Sequence, residues 1–169
     1  MPSTAPEPEP SAAFIVRAAE LGDVAPIVEM IRELAVFEKL EHLVQVTPEK
    51  LRPHLFGEKP VAEAMVAEVD GKAIAFALYF TNFSTFLARP GLYLEDLYVQ
   101  PAHRAKGVGE ALLTRLAALA AERGCGRFEW SVLDWNANAI RFYERMGATV
   151  MPDWRICRIS GDALQAFAP

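Results

Sequence analysis

The chain has 169 residues, 52% hydrophobic and 23% charged, enough for one globular domain with a sizeable core. A formal charge of −5 argues against nucleic-acid binding and leans weakly toward a cationic small substrate. No apolar run approaches the roughly 20 residues that cross a bilayer, and residues 1–13 lack the basic and apolar regions of a secretory signal, so a cytoplasmic protein without a membrane partner is expected.

Residues 1–13 carry Pro2, Pro6, Pro8 and Pro10 among Glu, Ala and Ser, which predicts a disordered tail before a single domain over 14–169. Phe14–Arg17 reads as a first strand. Gly22-Asp23 opens a helix through about Phe37, with Val24, Ile27, Val28, Ile31, Leu34 and Ala35 at helical spacing. Thr47-Pro48-Glu49-Lys50 starts a short second helix ending near Gly57. Glu63–Val69 and Ala73–Phe80 flank Asp70-Gly71, a specific hairpin signal. Asn82–Gly91 reads as a loop rich in aromatics, Ser and Thr. Leu92–Val99 is a buried strand ended by Pro101, and an amphipathic helix runs from Glu110 to Arg123. Arg127–Leu133 is a further strand. Asp134-Trp-Asn136 then opens a helix to about Met146, with Gly147 as its cap. Val150–Met151 and Arg155–Ile159 are expected as short final strands. Cys125 and Cys157 make no disulfide framework, and His42, His54 and His103 have no ligand spacing, so no metal is expected.

Between the Leu92–Val99 strand and the following helix lies a basic, glycine-containing loop with His103, Arg104, Lys106, Gly107 and Gly109. Unpaired N–H groups and the macrodipole make such a helix start attractive to anions, glycines admit a ligand close to the backbone, and Arg104 and Lys106 supply countercharge. A pyrophosphate site follows. Neither the Walker pattern nor the dinucleotide fingerprint is present; the loop reads Arg104-Ala105-Lys106-Gly107-Val108-Gly109, an R-x-x-G-x-G.

In that strand-to-helix setting the motif resembles the acyl-CoA pyrophosphate loop of the GCN5-related N-acetyltransferases. Asn136, Ala139, Phe142, Tyr143, Gly147 and Ala148 match the family's pattern N-x-x-A-x-x-[FL]-Y-x-x-x-G-[AF]. Leu34–Thr47, Leu92–Val99 and Val132–Asn136 (VLDWN) are similar to the diamine branch, which holds spermidine/spermine acetyltransferases and their thialysine-acetylating relatives. Ser84-Thr85-Phe86 and VLDWN lean to the thialysine side.

The resemblance implies an α/β fold, a mixed central sheet of about six to seven strands flanked by about four helices. It implies direct transfer of acetyl from acetyl-CoA to a small primary amine, and a homodimer. The cofactor-binding set it implies is Leu97, Tyr98, Val99, Arg104, Ala105, Lys106, Gly107, Val108, Gly109, Glu110, Asn136 and Ala139. A lysine-like amine with a pKa near 10.4 is neutral only about one time in 2,500 at pH 7, so a proton acceptor is needed. Glu95 is the family-matched base and Tyr143 the acid for the departing thiolate, with Glu38, Glu95 and Asp96 as the amine pocket. The alternative for Glu38 is a solvated helix-end residue, and for Tyr143 a core aromatic. Adjacent Glu95 and Asp96 point to opposite faces of a regular strand; a bulge, which the family has there, lets both face substrate and frees N–H groups near Leu97–Val99 for the thioester carbonyl. Phe37, Phe83, Phe86 and Trp154 are candidates to wall an alkyl chain. Two rival readings are a protein lysine or N-terminal acetyltransferase, and a non-catalytic acyl-CoA sensor that would have no use for Tyr143 and Glu95.

Overall fold

A computed structural model of the chain describes residues 13–169. The tail expected over 1–13 lies, but for Ala13, outside the described residues. The chain divides into two compact units, one ending at Ser131 and one running from Val132 to Pro169.

The first unit is built on a five-stranded sheet in the order β1-β2-β3-β4-β5. Its strands are β1 (Ile15–Ala18), β2 (Glu63–Val69), β3 (Lys72–Ser84), β4 (Arg89–Val99) and β5 (Arg127–Trp130), antiparallel except for the parallel β4–β5 pair. Three helices accompany it: α1 (Val24–Glu38), α2 (Pro48–Phe56) and α3 (Val108–Glu122). The β2–β3 hairpin turns on Asp70 and Gly71, with φ of 49° and 76°; both central residues of a type I′ turn need that left-handed backbone, which Asp-Gly tolerates. Thr47 caps α2 by accepting from Lys50 N at 3.3 Å. Asp23, at the start of α1, is buried but accepts from the Arg17 guanidinium at 2.6 Å and from Glu20 N at 2.7 Å. That pairing offsets the cost of burying its charge and ties the helix start to β1.

One core joins Ile27, Val28 and Met30 of α1 and Leu51 and Leu55 of α2 to Val66, Phe76 and Tyr98 of the sheet. Alternation turns Ala67, Ala75 and Ala77 to the reverse face, and α3, with Leu112 and Leu116 fully buried, packs along β2, β3 and β4.

The second unit holds α4 (Ala137–Arg145) and a short α5 (Asp162–Gln165). Asn136 caps α4 by accepting from Ala139 N at 3.2 Å.

The expected sheet of six to seven strands is thus corrected to five among the described residues. Val150–Met151 and Arg155–Ile159 form no strand and are exposed, since alternation makes a strand only where a neighbour supplies the ladder. The fifth strand stops at Trp130 instead of Leu133. The expected loop Asn82–Gly91 is mostly ladder: β3 and β4 pair out to Ser84 and Arg89 around a turn at residues 85–88. The helix Asp162–Gln165 had no counterpart in the expectations.

Candidate active site

The β3–β4 ladder has one irregularity, and it falls at the acidic pair. Leu78 faces Asp96 and the next residue, Tyr79, faces Leu94, so Glu95 is the extra residue of a β-bulge. The bulge resets the alternation. Glu95 is exposed, Asp96 is half-buried, and both line one cleft. Glu38, the last residue of α1, lines it too; Lys39 ends the helix in the left-handed region at φ 61°. The cleft measures about 380 Å³ and its walls are aliphatic, with Ile31, Leu34, Leu43 and Val46 among them.

The apolar cleft and its neighbouring carboxylates act most strongly on Asp96. Burial, then the charges of Glu95 and Glu38, push Asp96 from an ordinary 3.8 up to about 6. Burial also raises Glu38. Glu38 thus lines the cleft and is not a solvated helix-end residue. The aromatic candidates do not line it: Phe37 packs under Arg104, Phe83 and Phe86 are exposed, and Trp154 is exposed in the second unit. Leu43, Val44 and Val46, inside the Leu34–Thr47 segment but assigned no site role from sequence, enter through the turn after α1.

Past Leu94 and Trp130 the parallel β4–β5 pairing stops. From Glu95 to Val99 the β5-side edge of β4 therefore has no ladder partner among the described residues. Leu97, Tyr98 and Val99 lie along this open edge, which supplies backbone groups for an extended ligand.

At the end of β4, Gln100 N donates to Ile74 O at 3.0 Å and the loop Pro101–Lys106 leads to α3. Ala105 (φ 58°) and Gly107 (φ 79°) are left-handed, Gly107 is the N-cap of α3, and Val108, Gly109 and Glu110 form its first turn. A Cβ at Gly107 would meet nothing within 4 Å, so the helix N-terminus opens onto free space. This fits a pyrophosphate in shape and in dipole. Arg104 points back toward the fold: its Nε donates to Val99 O at 2.8 Å, and its guanidinium lies 5.5 Å from the Phe37 ring and 5.3 Å from Tyr98. It braces the loop against α1 and β4.

In the second unit Asn136 and Ala139 bond to each other at the start of α4, and the Tyr143 ring packs 5.3 Å from Phe142. Among the described residues no cluster of His, Cys, Asp or Glu has the makings of a metal site, and no helix is long and apolar enough to cross a membrane.

An open strand edge, a bulge bearing carboxylates and a glycine-capped helix N-terminus in succession define an acyltransferase scaffold. The sequence profile of the acetyltransferase (GNAT) family matches residues 28–148, and the chain belongs to that family. It is 35% identical to L-ornithine N5-acetyltransferase of Arabidopsis thaliana, over 98% of this chain and 94% of the relative. It is 37% identical to thialysine N-epsilon-acetyltransferase of Sus scrofa, over 93% and 98%. An integron cassette protein from the mobile metagenome of V. cholerae shares the fold, with a TM-score of 0.77 over 92% of this chain and 97% of that one, at 24% identity. The protein is accordingly an acyltransferase, in a family whose acetyltransferases take their acetyl group from acetyl-CoA.

Proposed function

We propose that the protein transfers acetyl from acetyl-CoA directly to a small primary amine of the polyamine, diamine or thialysine/lysine-like kind. The observation that carries this is the placing of Glu38, Glu95 and Asp96 on one aliphatic cleft beside the β4 bulge. Carboxylates attract the ammonium, and apolar walls suit the methylenes. The thialysine and ornithine activities named for the relatives support it.

Acetyl-CoA supplies an activated thioester. In this reading the Gly107 helix start, with Ala105, Lys106, Val108, Gly109 and Glu110 around it, holds the pyrophosphate, and Arg104 contributes by bracing the loop from behind. The open edge at Leu97–Val99 holds the pantetheine amides and donates to the thioester carbonyl, and Asn136 and Ala139 are read as cofactor contacts from the family motif that they match. The base function assigned to Glu95 is shared by Asp96, whose pKa, raised to about 6 by burial and by the charges of Glu95 and Glu38, stands closer to the ammonium's 10.4 than an ordinary carboxylate's. Glu95, exposed at the rim, receives the cation with Glu38. Tyr143 protonates the departing thiolate. The two units act as one catalytic domain over 14–169, a reading supported by the family match running across their boundary. A cytoplasmic homodimer completes the proposal, and sedimentation at assay concentration checks the dimer.

Thiol release from acetyl-CoA with spermidine, putrescine, thialysine, lysine and a histone-tail peptide tests the reading. Turnover of a small amine is expected; turnover of the peptide alone would shift the acceptor to protein. Tyr143→Phe should lower kcat at least tenfold with acetyl-CoA affinity kept within twofold, as loss of an acid acting only in the transition state predicts. A fully active variant would remove Tyr143 from the chemistry.

A further inference from the structure

The sheet face that carries the carboxylate cleft continues toward the far end of the β3–β4 ladder. Leu78, Phe80 and Asn82 share that face of β3, and opposite them on β4 stand Asp96, Tyr93 and Gly91. On β5, Glu129 lies beside Tyr93 and Arg127 beside Gly91. The space that a side chain at position 91 would take is already filled. A Cβ on Gly91 would lie 2.2 Å from Asn82 Oδ1, 3.2 Å from Arg127 Cγ and 3.4 Å from Arg127 Nε. Those two polar atoms, Asn82 Oδ1 and Arg127 Nε, are buried with no hydrogen-bond partner. The other contacts of the guanidinium are loose: 3.3 Å from Nη2 to Phe83 O, and 3.3 Å from Nε to Glu129 Oε1 outside hydrogen-bond geometry.

An acceptor and a donor side by side, both without a hydrogen bond although the guanidinium is ion-paired to Glu129, are costly to leave unmade. They are complementary to a ligand that carries both a cation and an anion. We propose that Asn82, Arg127 and Glu129 form a head-group subsite for the α-amino and α-carboxylate groups of an amino-acid acceptor. The α-carboxylate takes the guanidinium edge of Arg127, whose side chain is 36% exposed, and the α-ammonium takes Asn82 Oδ1 and the Glu129 carboxylate. Four residue steps along β3, from Leu78 to Asn82, separate this spot from Asp96, about 13 Å along the strand. A lysine- or ornithine-length side chain spans that gap with a hydrogen bond of about 2.9 Å at each end. Its methylenes would lie over the paired rings of Phe80 and Tyr93, whose centroids are 5.1 Å apart. Tyr93 is fixed there by its hydroxyl, 2.9 Å from Ser131 Oγ. The subsite rests on the amine-acetylating reading above and narrows its substrate to a diamino acid over a polyamine.

Matched acceptors that differ only in the carboxylate test it: L-ornithine against putrescine, and L-lysine against cadaverine, each with L-lysinamide as a further control. Wild-type enzyme should favour each amino acid over its diamine by tenfold or more in kcat/KM. Arg127→Gln and Asn82→Ala should each raise KM for the amino acid about tenfold and leave the diamine within twofold. L-lysinamide on unmodified enzyme, which requires no folded variant, should fall about tenfold below lysine. Equal losses on both acceptor types, or lysinamide as good as lysine, would overturn the subsite. Diamines turned over with no amino-acid preference would overturn it too, while leaving amine acetylation in place. No thiol release with any of the five amines would defeat the amine-acetylating reading itself, and the subsite with it.

Discussion

Asp96→Asn is expected to cost about a hundredfold or more in kcat/KM and yet make the protein more stable at neutral pH. The sign follows from the direction of the shift. The folded pKa of Asp96 is raised from 3.8 to about 6, so ionising it opposes folding. The native state holds its proton where the unfolded chain has lost it. Stability therefore falls as pH climbs from about 4 to about 6 and stays lower above that window. A shift of some two units corresponds to an upper bound near 3 kcal/mol, and on the order of 1–2 kcal/mol is expected after local relaxation. Asn carries no charge and escapes this cost. Urea unfolding of both proteins at pH 4 and pH 8 should show a gap in favour of the variant at pH 8 that closes at pH 4. A variant less stable than wild type at pH 8 would mean that Asp96 is a structural partner and not a strained base. In the wild type, log kcat/KM should also gain slope below about pH 6, where Asp96 is protonated.

The second large effect is expected at Gly107. Aspartate there should weaken acetyl-CoA binding a hundredfold or more while lowering the melting temperature by only a few degrees. Three observations combine to separate these outcomes. Gly107 sits at φ 79°, where a non-glycine residue costs about 1–2 kcal/mol but Asp less than most. It is also the N-cap of α3, a position where Asp is favoured. A side chain there meets open space and no part of the protein. The capping gain over glycine is only a few tenths of a kcal/mol and leaves about 1 kcal/mol of strain, so the dominant effect is a carboxylate placed where a pyrophosphate is proposed to sit. Gly107→Ala, neutral and subject only to the strain, should lose no more than about tenfold in affinity. Calorimetric titration with acetyl-CoA distinguishes the pair, and unchanged affinity in the aspartate variant would displace the pyrophosphate from this loop.

Local signals accounted for much of the architecture. Asp70-Gly71 specifies its own turn because both residues accept positive φ, and Thr47 and Asn136 cap helices with their own side chains. The α1 and α3 stripes were legible because burial at helical spacing is written in consecutive turns. The loop-to-helix motif around Gly107 could be read for the same reason: its geometry depends on neighbours a few residues away. Asn82–Gly91 was misread because Asn, Ser, Thr, Pro and Gly are turn-formers, while the pairing that extends the ladder to Ser84 and Arg89 is a property of two strands together.

The sequence by itself determined the order of elements, the glycine-capped helix start and the presence of acidic residues on the central strand. Only the tertiary structure decided that Glu95 is the bulged residue, that Asp96 turns into an apolar cleft beside Glu38, and that Asn82 and Arg127 converge over Gly91. The reason is physical. Turns and caps are settled by dihedral preferences within a few residues, whereas strand register, burial and the pKa values they shift depend on which distant segment supplies the opposing face.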